Sequence, residues 1–241
     1  MAVASRSREP VSEQVFRELL EGLLAGRYRP GEKLPTQRAL AAQAGVTMGT
    51  VREALKRLEQ MGLVDVRHGD AMRARDWREH GGLDLVAHLF GARPARDAGT
   101  PALDAGLLGD VFEARRLMLR ELAALAAQRR EPGQAARLAD LAGAIAAAPD
   151  AAAAQPLDFA FFAQVAEAAG NLVFLLIMNS IRELYFAQAE QLPVTARHRE
   201  LAPLYARAAE AIALRDTAAA RAAVAELADR QRVRVEEALG R

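Results

Sequence analysis

The sequence contains no cysteine and no long apolar run, and each absence excludes a class of protein. Without cysteine the chain forms neither a disulfide nor a thiolate metal site, which fits a reducing compartment. The longest apolar run, Leu172–Met178, is far shorter than the roughly 20 residues of a membrane-spanning helix. The N-terminus also lacks the apolar core of a signal peptide. We therefore expect a soluble protein of the cytoplasm.

Motifs of the common catalytic classes are missing as well. The sequence has no cysteine nucleophile, no His-Glu-x-x-His, no glycine-rich phosphate loop and no serine in a Gly-x-Ser-x-Gly turn. We therefore expect that the protein is not an enzyme.

Charge is distributed unevenly along a chain that is otherwise typical of a folded protein. The 241 residues are 51% hydrophobic, enough for one or two domains with a sizeable core. The net charge of +1 combines +4 over residues 1–75 with −3 over residues 76–241. A basic first third fits a surface that binds nucleic acid, but a chance difference between two domains explains it equally well.

The stretch Ala44–Leu58 has the pattern of an amphipathic helix that follows a tight turn. Its apolar residues recur at helical spacing on one face, and the other face is polar. Gly45 permits the turn and Thr47 is placed to cap the new helix. Such a segment is either the second helix of a helix-turn-helix or an ordinary surface helix.

The neighbouring segments favour the helix-turn-helix. A helical stripe covers Val11–Ala25, a Pro/Gly-punctuated turn follows, and Thr36 caps a second short helix. After Gly62, two short strands joined at His68–Asp70 form a wing. This order predicts a winged helix-turn-helix domain over residues 10–75, after a disordered tail over residues 1–9.

The rest of the chain is predicted to be helical. Residues 76–106 form a linker with one short helix, Leu83–Phe90, and residues 107–241 are rich in alanine and periodic at helical spacing. The fold class is therefore mainly α: a winged helix-turn-helix domain followed by an all-α antiparallel helical bundle. The expected bundle helices cover about 103–130, 133–147, 156–169, 170–192, 196–214 and 216–239.

Several segments carry a resemblance to a known family. The first domain resembles the GntR family of bacterial transcription regulators in the segments Gly26–Pro35, Arg38–Ala41 and Val51–Leu58. The second half is similar to the effector-binding, FCD-like domain of the FadR branch of that family, in Arg115, Leu157–Phe162, Ala169–Asn171, His198–Glu200 and Asp216. The resemblance implies a regulator, repressor or activator, that binds a palindromic DNA operator as a homodimer and responds to a small molecule held in the bundle.

The family's DNA-contacting positions can be transferred residue by residue. They fall on Arg38, Thr47, Met48, Gly49, Thr50, Arg52, His68 and Gly69. Met48, Gly49 and Asp70 depart from the residues common there, and Met48 cannot donate a hydrogen bond to a base, so it either touches a thymine methyl or packs. These departures also leave open a non-DNA ligand-sensing or interaction protein whose first domain is degenerate.

The same resemblance implies a metal site that this chain does not complete. Many members of the branch bind a metal through an aspartate, a histidine four residues later and two further histidines. This chain keeps Asp158 and His198 but has Phe162 and Leu227 at the other two positions. We expect no tightly held metal and no cofactor, with a metal-dependent organic-acid sensor as the alternative. His198 is otherwise a satisfied core or surface histidine, and Asp158 otherwise a helix cap after Pro156.

The residues expected to bind the effector are Arg115, Asp158, Phe162, Tyr185 and His198. A cluster of aromatic residues, including Phe159, Phe161, Phe174 and Phe186, makes the bundle more apolar and suits an acyl ligand such as a fatty acyl-CoA. Aromatic residues at helical spacing are just as often part of the core. Arg115 either pairs with an anionic head group or forms an exposed salt bridge.

Overall fold

The computed structural model describes residues 10–65, 72–91, 105–187 and 192–240, and most of these residues are helical. The chain divides into two compact units, Met1–Leu103 and Asp104–Arg241. The mainly α fold class expected from the sequence is confirmed. No helix within the described ranges is both long and apolar enough to cross a membrane.

The first unit contains five helices and two short strands among its described residues. They are α1 (Val11–Leu24), α2 (Gln37–Ala44), α3 (Met48–Gln60), β1 (Val64–Asp65), β2 (Arg73–Ala74), α4 (Trp77–His80) and α5 (Leu83–Gly91). Helix α3 packs against both α1 and α2. The apolar stripes of these helices meet in one core, which includes Phe16, Leu20, Leu40, Val51, Leu55, Leu58 and Leu63.

Local hydrogen bonds set the ends of α2 and α3 as the sequence predicts. The Thr36 hydroxyl accepts a bond from the Ala39 N–H (3.2 Å), and the Thr47 hydroxyl accepts one from the Thr50 N–H (3.3 Å). Between the two helices, Gly45 has a left-handed backbone with φ of 65°, a conformation that glycine adopts without strain. The turn between the two helices is therefore encoded locally.

The strands of the wing pair antiparallel, with Val64 opposite Ala74 and Asp65 opposite Arg73. The segment before α2, expected only as a turn, adds to this pair: the Leu34 N–H donates to the Met72 carbonyl (2.8 Å), and the Ala74 N–H to the Glu32 carbonyl (2.9 Å). The wing tip at residues 66–71 lies outside the described residues. The expectations for His68, Gly69 and Asp70 therefore have no structural counterpart.

Helix α5 falls in the region predicted as a linker, and it packs onto the first unit. Leu85 is buried in the core of that unit, and Leu89 and Trp77 pack against the same core. The His88 ring meets the Phe16 ring edge to face, with centroids 5.3 Å apart. Residues 76–91 are thus part of the folded unit, and residues 92–104 lie outside the described ranges.

Six helices make up the described part of the second unit. They are α6 (Ala105–Arg129), α7 (Pro132–Ala147), α8 (Ala151–Ala168), α9 (Leu172–Ala187), α10 (His198–Ala213) and α11 (Thr217–Ala238). Helix α6 packs against α8, α10 and α11, α7 packs against α8 and α10, and α9 packs against α8. The core of this unit is rich in alanine, which lets the helices approach closely, and its large members include Leu122, Leu138, Ile145, Phe161, Tyr205 and Leu227.

Helix α8 begins earlier than the sequence suggested, and the interpretation of Asp158 as its cap is wrong. The cap is Asp150, whose Oδ1 accepts a bond from the Ala153 N–H (2.8 Å), and Pro156 lies inside the helix. The four alanines at 151–154 have the highest helix propensity of any residue, which favours extending the helix back through them. Asp158 consequently lies well inside α8, with its side chain buried.

Candidate functional site

Helix α3 presents a dry face to the core and a polar face to solvent. Val51, Ala54, Leu55 and Leu58 are all buried, as their spacing predicted. On the opposite side, Thr47, Met48, Gly49 and Arg52 are exposed. One face of the helix thus packs against the core, and its N-terminal half stays exposed. A helix that enters a DNA groove needs this arrangement.

Two arginines at the predicted contact positions are free to bind an external anion. Arg38, in the first turn of α2, and Arg52, in α3, are both exposed. Neither forms an ion pair with any residue in the part of the chain that the structure describes. Arg57 differs, because it binds Glu13 (2.5 Å) and stacks over the Phe16 ring at 3.8 Å. Arg57 therefore has a structural role, whereas Arg38 and Arg52 are available to bind a partner.

The start of α3 combines small polar side chains with the two residues that depart from the family pattern. The hydroxyls of Thr47 and Thr50 lie 3.0 Å apart and take part in the helix cap. Met48 is 49% exposed, so its thioether is available to a partner rather than used in the core. A Cβ on Gly49 would meet only the Thr47 hydroxyl, at 3.6 Å. The fold itself therefore does not require glycine at this position.

In the second unit, Asp158 is the centre of a buried polar network. Its Oδ1 accepts hydrogen bonds from the Tyr205 hydroxyl and from Gln231 Nε2 (2.7 Å), and its Oδ2 accepts one from the Tyr185 hydroxyl (2.5 Å). Helices α8, α9, α10 and α11 each contribute one of these groups. A buried carboxylate is stable only with such partners, and this one joins four helices.

Both tyrosines act as donors in this network. Burial raises the pKa of Tyr205 and of Tyr185, and the neighbouring Asp158 carboxylate raises both pKa values further. The two phenols therefore remain protonated at any physiological pH and donate to the carboxylate. Asp158 is thereby satisfied without an arginine.

Arg115 lies next to the network but donates no hydrogen bond to Asp158. Its Nη2 lies 3.9 Å from Asp158 Oδ2, too far for a hydrogen bond. Its Nη1 is buried and donates to no acceptor among the described residues. The guanidinium carbon lies 5.0 Å from the centre of the Phe162 ring. Arg115 is thus a cation with a spare donor inside the bundle. Its interpretation as a salt-bridge residue holds, since it lies within ion-pair distance of Asp158, but the pair is buried and not exposed.

Arg115 is also one of the residues that line a small cavity. The cavity has a volume of about 20 Å³, roughly the space of one water molecule. Its polar lining residues are Arg115, Asp158 and Tyr185, and the rest are apolar: Met118, Leu119, Phe159, Phe162, Met178 and Ile181. These residues come from α6, α8 and α9. The cavity therefore combines one cationic donor with an apolar wall.

Four of the five predicted effector residues come together here, and one does not. Arg115, Asp158, Phe162 and Tyr185 all line the cavity. His198 is buried elsewhere, and its Nε2 lies 3.0 Å from the Ala148 carbonyl oxygen. The residue of α10 that reaches Asp158 is Tyr205, seven residues and about 10 Å of helix further on. His198 therefore has the role of a satisfied core histidine.

The predicted aromatic cluster divides between core and cavity. Phe161 is fully buried and packs edge to face against Tyr205 at 5.2 Å, away from the cavity lining. Phe159, Phe162 and Tyr185 line the cavity, and Phe186 stacks on two of these rings from outside. Phe161 is therefore a core residue, whereas a role of the cavity-lining aromatic residues in ligand binding stays a prediction.

Tyr205 and Gln231 are functional candidates that the sequence analysis did not single out. Gln231 lies four residues after Leu227 and four before Val235, on a stripe of α11 that is otherwise apolar. A polar residue at a core position of an amphipathic helix signals a buried partner. Tyr205 is one of only three tyrosines in the chain, but its sequence neighbours give no comparable signal.

The residues present do not fit a tightly bound metal ion. Three donors already occupy the oxygens of Asp158. Phe162 is an apolar wall of the cavity, Leu227 is buried in the core, and His198 bonds elsewhere. No group of three or more potential ligands occurs in the described ranges. Neutral tyrosine and glutamine donors, and not a metal ion, satisfy the oxygens of Asp158 in this structure.

Two domain families match the chain. Residues 11–73 match the family described as bacterial regulatory proteins, gntR family, and residues 110–230 match the FCD domain. The first match ends within the wing. The second runs from α6 into α11 and includes Asp158, Tyr185 and Tyr205, but it ends one residue before Gln231. Each matched range lies within one of the two compact units.

Two relatives illustrate the sequence similarity. The HTH-type transcriptional regulator Mce2R of Mycobacterium tuberculosis is 36% identical over 228 residues, which cover 94% of this chain and 92% of that protein. The fatty acid metabolism regulator protein of Klebsiella pneumoniae is 32% identical over 167 residues, covering 69% of this chain and 66% of that protein. Both are named as regulators.

Solved structures show the same fold at lower identity. Lar, described as controlling expression of the Listeria monocytogenes agr system, matches with a TM-score of 0.57 at 14% identity, over 96% of this chain and 99% of that one. E. coli McbR/YncC matches with a TM-score of 0.52 at 18% identity, over 96% and 100%. These matches support the fold alone.

Proposed function

The chain belongs to the GntR family of bacterial regulatory proteins and carries an FCD domain. We propose that it binds a palindromic operator as a homodimer in the cytoplasm. We further propose that a small molecule controls whether the protein binds or releases this operator. The family makes it a transcriptional regulator and not an enzyme. The palindrome, the dimer and the effector are the proposal.

One observation carries the DNA-binding part of the proposal. Arg38 and Arg52 are exposed and have no partner in the described part of the chain, although the fold pairs Arg57 with Glu13. Arginine forks bind guanine edges or phosphates in two places at once. Thr47 and Thr50 are short enough to let the helix approach the bases. Exposed Met48 offers a thymine methyl contact, so the operator differs from those of relatives with arginine there.

The test is the effect of Arg52→Ala on binding to the DNA upstream of the gene. A lost bidentate contact costs about 1–3 kcal/mol, so we expect the Kd in fluorescence anisotropy to rise about 5- to 150-fold. Arg199→Ala, which removes an exposed arginine of the bundle, is the matched control and leaves the Kd unchanged. Equal Kd values for the Arg52 variant and the wild type would contradict the assignment of α3 as the reading helix.

For the effector, the cavity favours an apolar molecule with one oxygen acceptor. The spare Arg115 donor fits a carboxylate or thioester carbonyl, and the apolar lining fits a hydrocarbon chain. Relatives named as fatty acid metabolism regulators point the same way. A cavity of about 20 Å³ holds no such chain, so binding requires a more open state of the bundle. The effector then acts by shifting the population towards that state.

Thermal unfolding with a ligand panel tests this proposal. A long-chain acyl-CoA or free fatty acid is expected to raise the Tm, because a ligand that binds only the folded state stabilises it. Arg115→Gln is expected to abolish the rise. Arg116→Gln is the neighbouring control, since Arg116 binds Asp229 at 2.8 Å instead of lining the cavity. A rise in Tm with Zn²⁺ alone would favour the metal-dependent sensor. A rise in Tm with the acyl ligand that persists in Arg115→Gln would exclude the cavity as the effector-binding site.

A further inference from the structure

Helix α9 is the wall of the cavity that the rest of the bundle holds least. It contributes Met178, Ile181 and Tyr185 to the lining, and the other lining residues belong to α6 and α8. Among the described side chains of α9 only Met178 is buried, whereas α8 buries ten of its eighteen residues. Helix α6 packs against three other helices, and α9 packs against α8. Because segments with few buried contacts open at the lowest cost in free energy, α9 is the wall expected to move first.

The connection between α8 and α9 has the features of a hinge. Only residues 169–171 separate the two helices, and Gly170 among them is exposed, with a left-handed backbone at φ of 62°. A Cβ at Gly170 would meet nothing closer than Arg129 Cδ, at 3.8 Å, so the space around this residue is open. The Asn171 side chain accepts a hydrogen bond from the Val173 N–H (3.0 Å) and caps α9 without help from α8. A rotation at Gly170 therefore leaves the hydrogen bonds of α9 intact.

Tyr185 fastens the opposite half of α9. It lies about 20 Å along the helix from Leu172. Its hydroxyl donates to Asp158 Oδ2 (2.5 Å) and lies 3.3 Å from the Gln155 carbonyl oxygen. No other described side chain of α9 forms a hydrogen bond to another helix. One phenol therefore supplies the directional contact that holds this end of α9 on α8.

Asp158 keeps other partners when Tyr185 moves away. Its Oδ1 retains the donors from Tyr205 and Gln231, and the Arg115 cation stays near Oδ2. A buried carboxylate is costly only when it is left without partners. The network therefore tolerates the loss of this one bond, which keeps the cost of opening low.

We propose that α9 is a hinged lid over the cavity, with Gly170 as the hinge and the Tyr185–Asp158 hydrogen bond as the latch. This rests on the proposed function, since the effector is the molecule that the open lid admits. With the lid closed, the cavity of about 20 Å³ holds one water molecule. With the lid open, the apolar wall is exposed, and a hydrocarbon chain bound there holds α9 away from α8.

Because the chain has no cysteine, a single thiol on the inner face of α9 reports the opening. Met178→Cys places this thiol at a position that is 3% exposed. Ile145→Cys places a control thiol in the fully buried core, away from the cavity. The rate of reaction with dithionitrobenzoate would be measured in native buffer. We expect Met178→Cys to react at least about 10-fold faster, because the control reacts only when the bundle unfolds as a whole.

The dependence of these rates on urea separates the two events. Opening of one helix exposes little surface, so the Met178→Cys rate is expected to change little with urea below the unfolding transition, while the Ile145→Cys rate rises steeply. Equal rates for the two thiols, with the same steep dependence on urea, would overturn the lid.

Two tyrosine substitutions in the Met178→Cys background test the latch. Tyr185→Phe is expected to raise the rate about 10- to 150-fold, the factor for a lost hydrogen bond to a charged group. Tyr205→Phe is the matched control, because it removes a donor from the same carboxylate whether the lid is open or closed, and the rate is expected to stay unchanged. Equal acceleration by both substitutions would contradict the latch. These measurements contain neither DNA nor effector, so a lid that opens in a protein whose Tm no acyl ligand changes would refute the proposed effector alone.

Discussion

At the scale of single residues, Asp158 shows how a bundle holds a charge that it cannot expose. Three donors from three other helices converge on its two oxygens, and the arginine beside it stays outside hydrogen-bonding distance. The carboxylate therefore organises the bundle, while the arginine remains available. This division of roles separates a structural residue from a candidate ligand-binding residue within one cavity.

Asp158→Asn tests the structural part of this division. The amide keeps the size of the side chain but places a donor opposite donors, so at least one buried group loses its partner. We expect the free energy of unfolding to fall by about 2–4 kcal/mol, measured by urea denaturation. Asp150→Asn in the same helix is the control, because asparagine caps helices as well as aspartate does. If both variants lost the same free energy of unfolding, the network around Asp158 would contribute no more to stability than the cap at Asp150.

The sequence pointed to most of this site, but not to all of its residues. Asp158, Phe162, Tyr185 and Arg115 were identified through a resemblance, and the structure brings them together. The structure does not bring His198 to the cavity, because it lies at the start of α10 and meets the Ala148 carbonyl there. Only packing shows that Tyr205, two turns on, is the residue that reaches Asp158.

At the scale of helices and strands, α3 was predictable because its signals are local. A cap at Thr47, a turn at Gly45 and four apolar residues at helical spacing suffice to place it. The pairing of Glu32–Leu34 with β2 was missed, because strand pairing depends on residues some 40 positions apart. Helix α8 began early for a different reason: its proline was outweighed by the alanines before it.

A substitution at Gly49 in α3 is expected to affect stability and DNA binding in opposite directions. A Cβ there meets only the Thr47 hydroxyl at 3.6 Å, and alanine is favoured over glycine inside a helix by about 0.5–1 kcal/mol. We expect Gly49→Ala to raise the Tm of the protein slightly and to weaken operator binding, since the added methyl group lies on the face that approaches the bases. Unchanged affinity, with the same gain in Tm, would show that glycine serves no close approach.

Docking of α5 on the first unit is expected to depend on pH through His88. Burial lowers the pKa of His88 below 6.5, and Arg57 nearby lowers it further, while Glu13 and Asp84 oppose the shift. The unfolded chain therefore takes up a proton more readily than the folded one. Stability from neutral His88 is present above about pH 6.5 and is lost as the pH falls through the lowered pKa.

Trp77, the only tryptophan in the chain, packs against the same core and reports its unfolding. We expect the urea midpoint followed by Trp77 emission to be lower at pH 5.5 than at pH 7.5, and the difference to shrink in His88→Phe. The pKa of Glu13 is also lowered, by its bond to Arg57, but that contribution is lost only below about pH 4.5. If the urea midpoints of His88→Phe at the two pH values differed as much as those of the wild type, a group other than His88 would cause the pH dependence.

At the scale of the whole molecule, the chain has two units with separate cores, of which the first matches the gntR family of regulatory proteins and the second the FCD domain. The order of secondary structure and the composition of each half were enough to predict this division. The boundary was harder to predict, since the short apolar helix α5 is equally compatible with a linker and with a docked element until Leu85 is seen in the core. The cavity was beyond sequence reasoning, because its size depends on how α6, α8 and α9 pack.

Whether this chain binds DNA in a sequence-dependent way is tested most directly by one salt titration. Full-length protein would be titrated against a labelled fragment from upstream of its gene, and against a scrambled fragment, by fluorescence anisotropy from about 50 to 200 mM salt. We expect log K to fall linearly with log salt, as phosphate contacts require, and binding to the upstream fragment to be much tighter at each salt concentration. Equal, weak and salt-independent binding to both fragments would contradict this expectation and leave a sensor whose first domain no longer reads DNA.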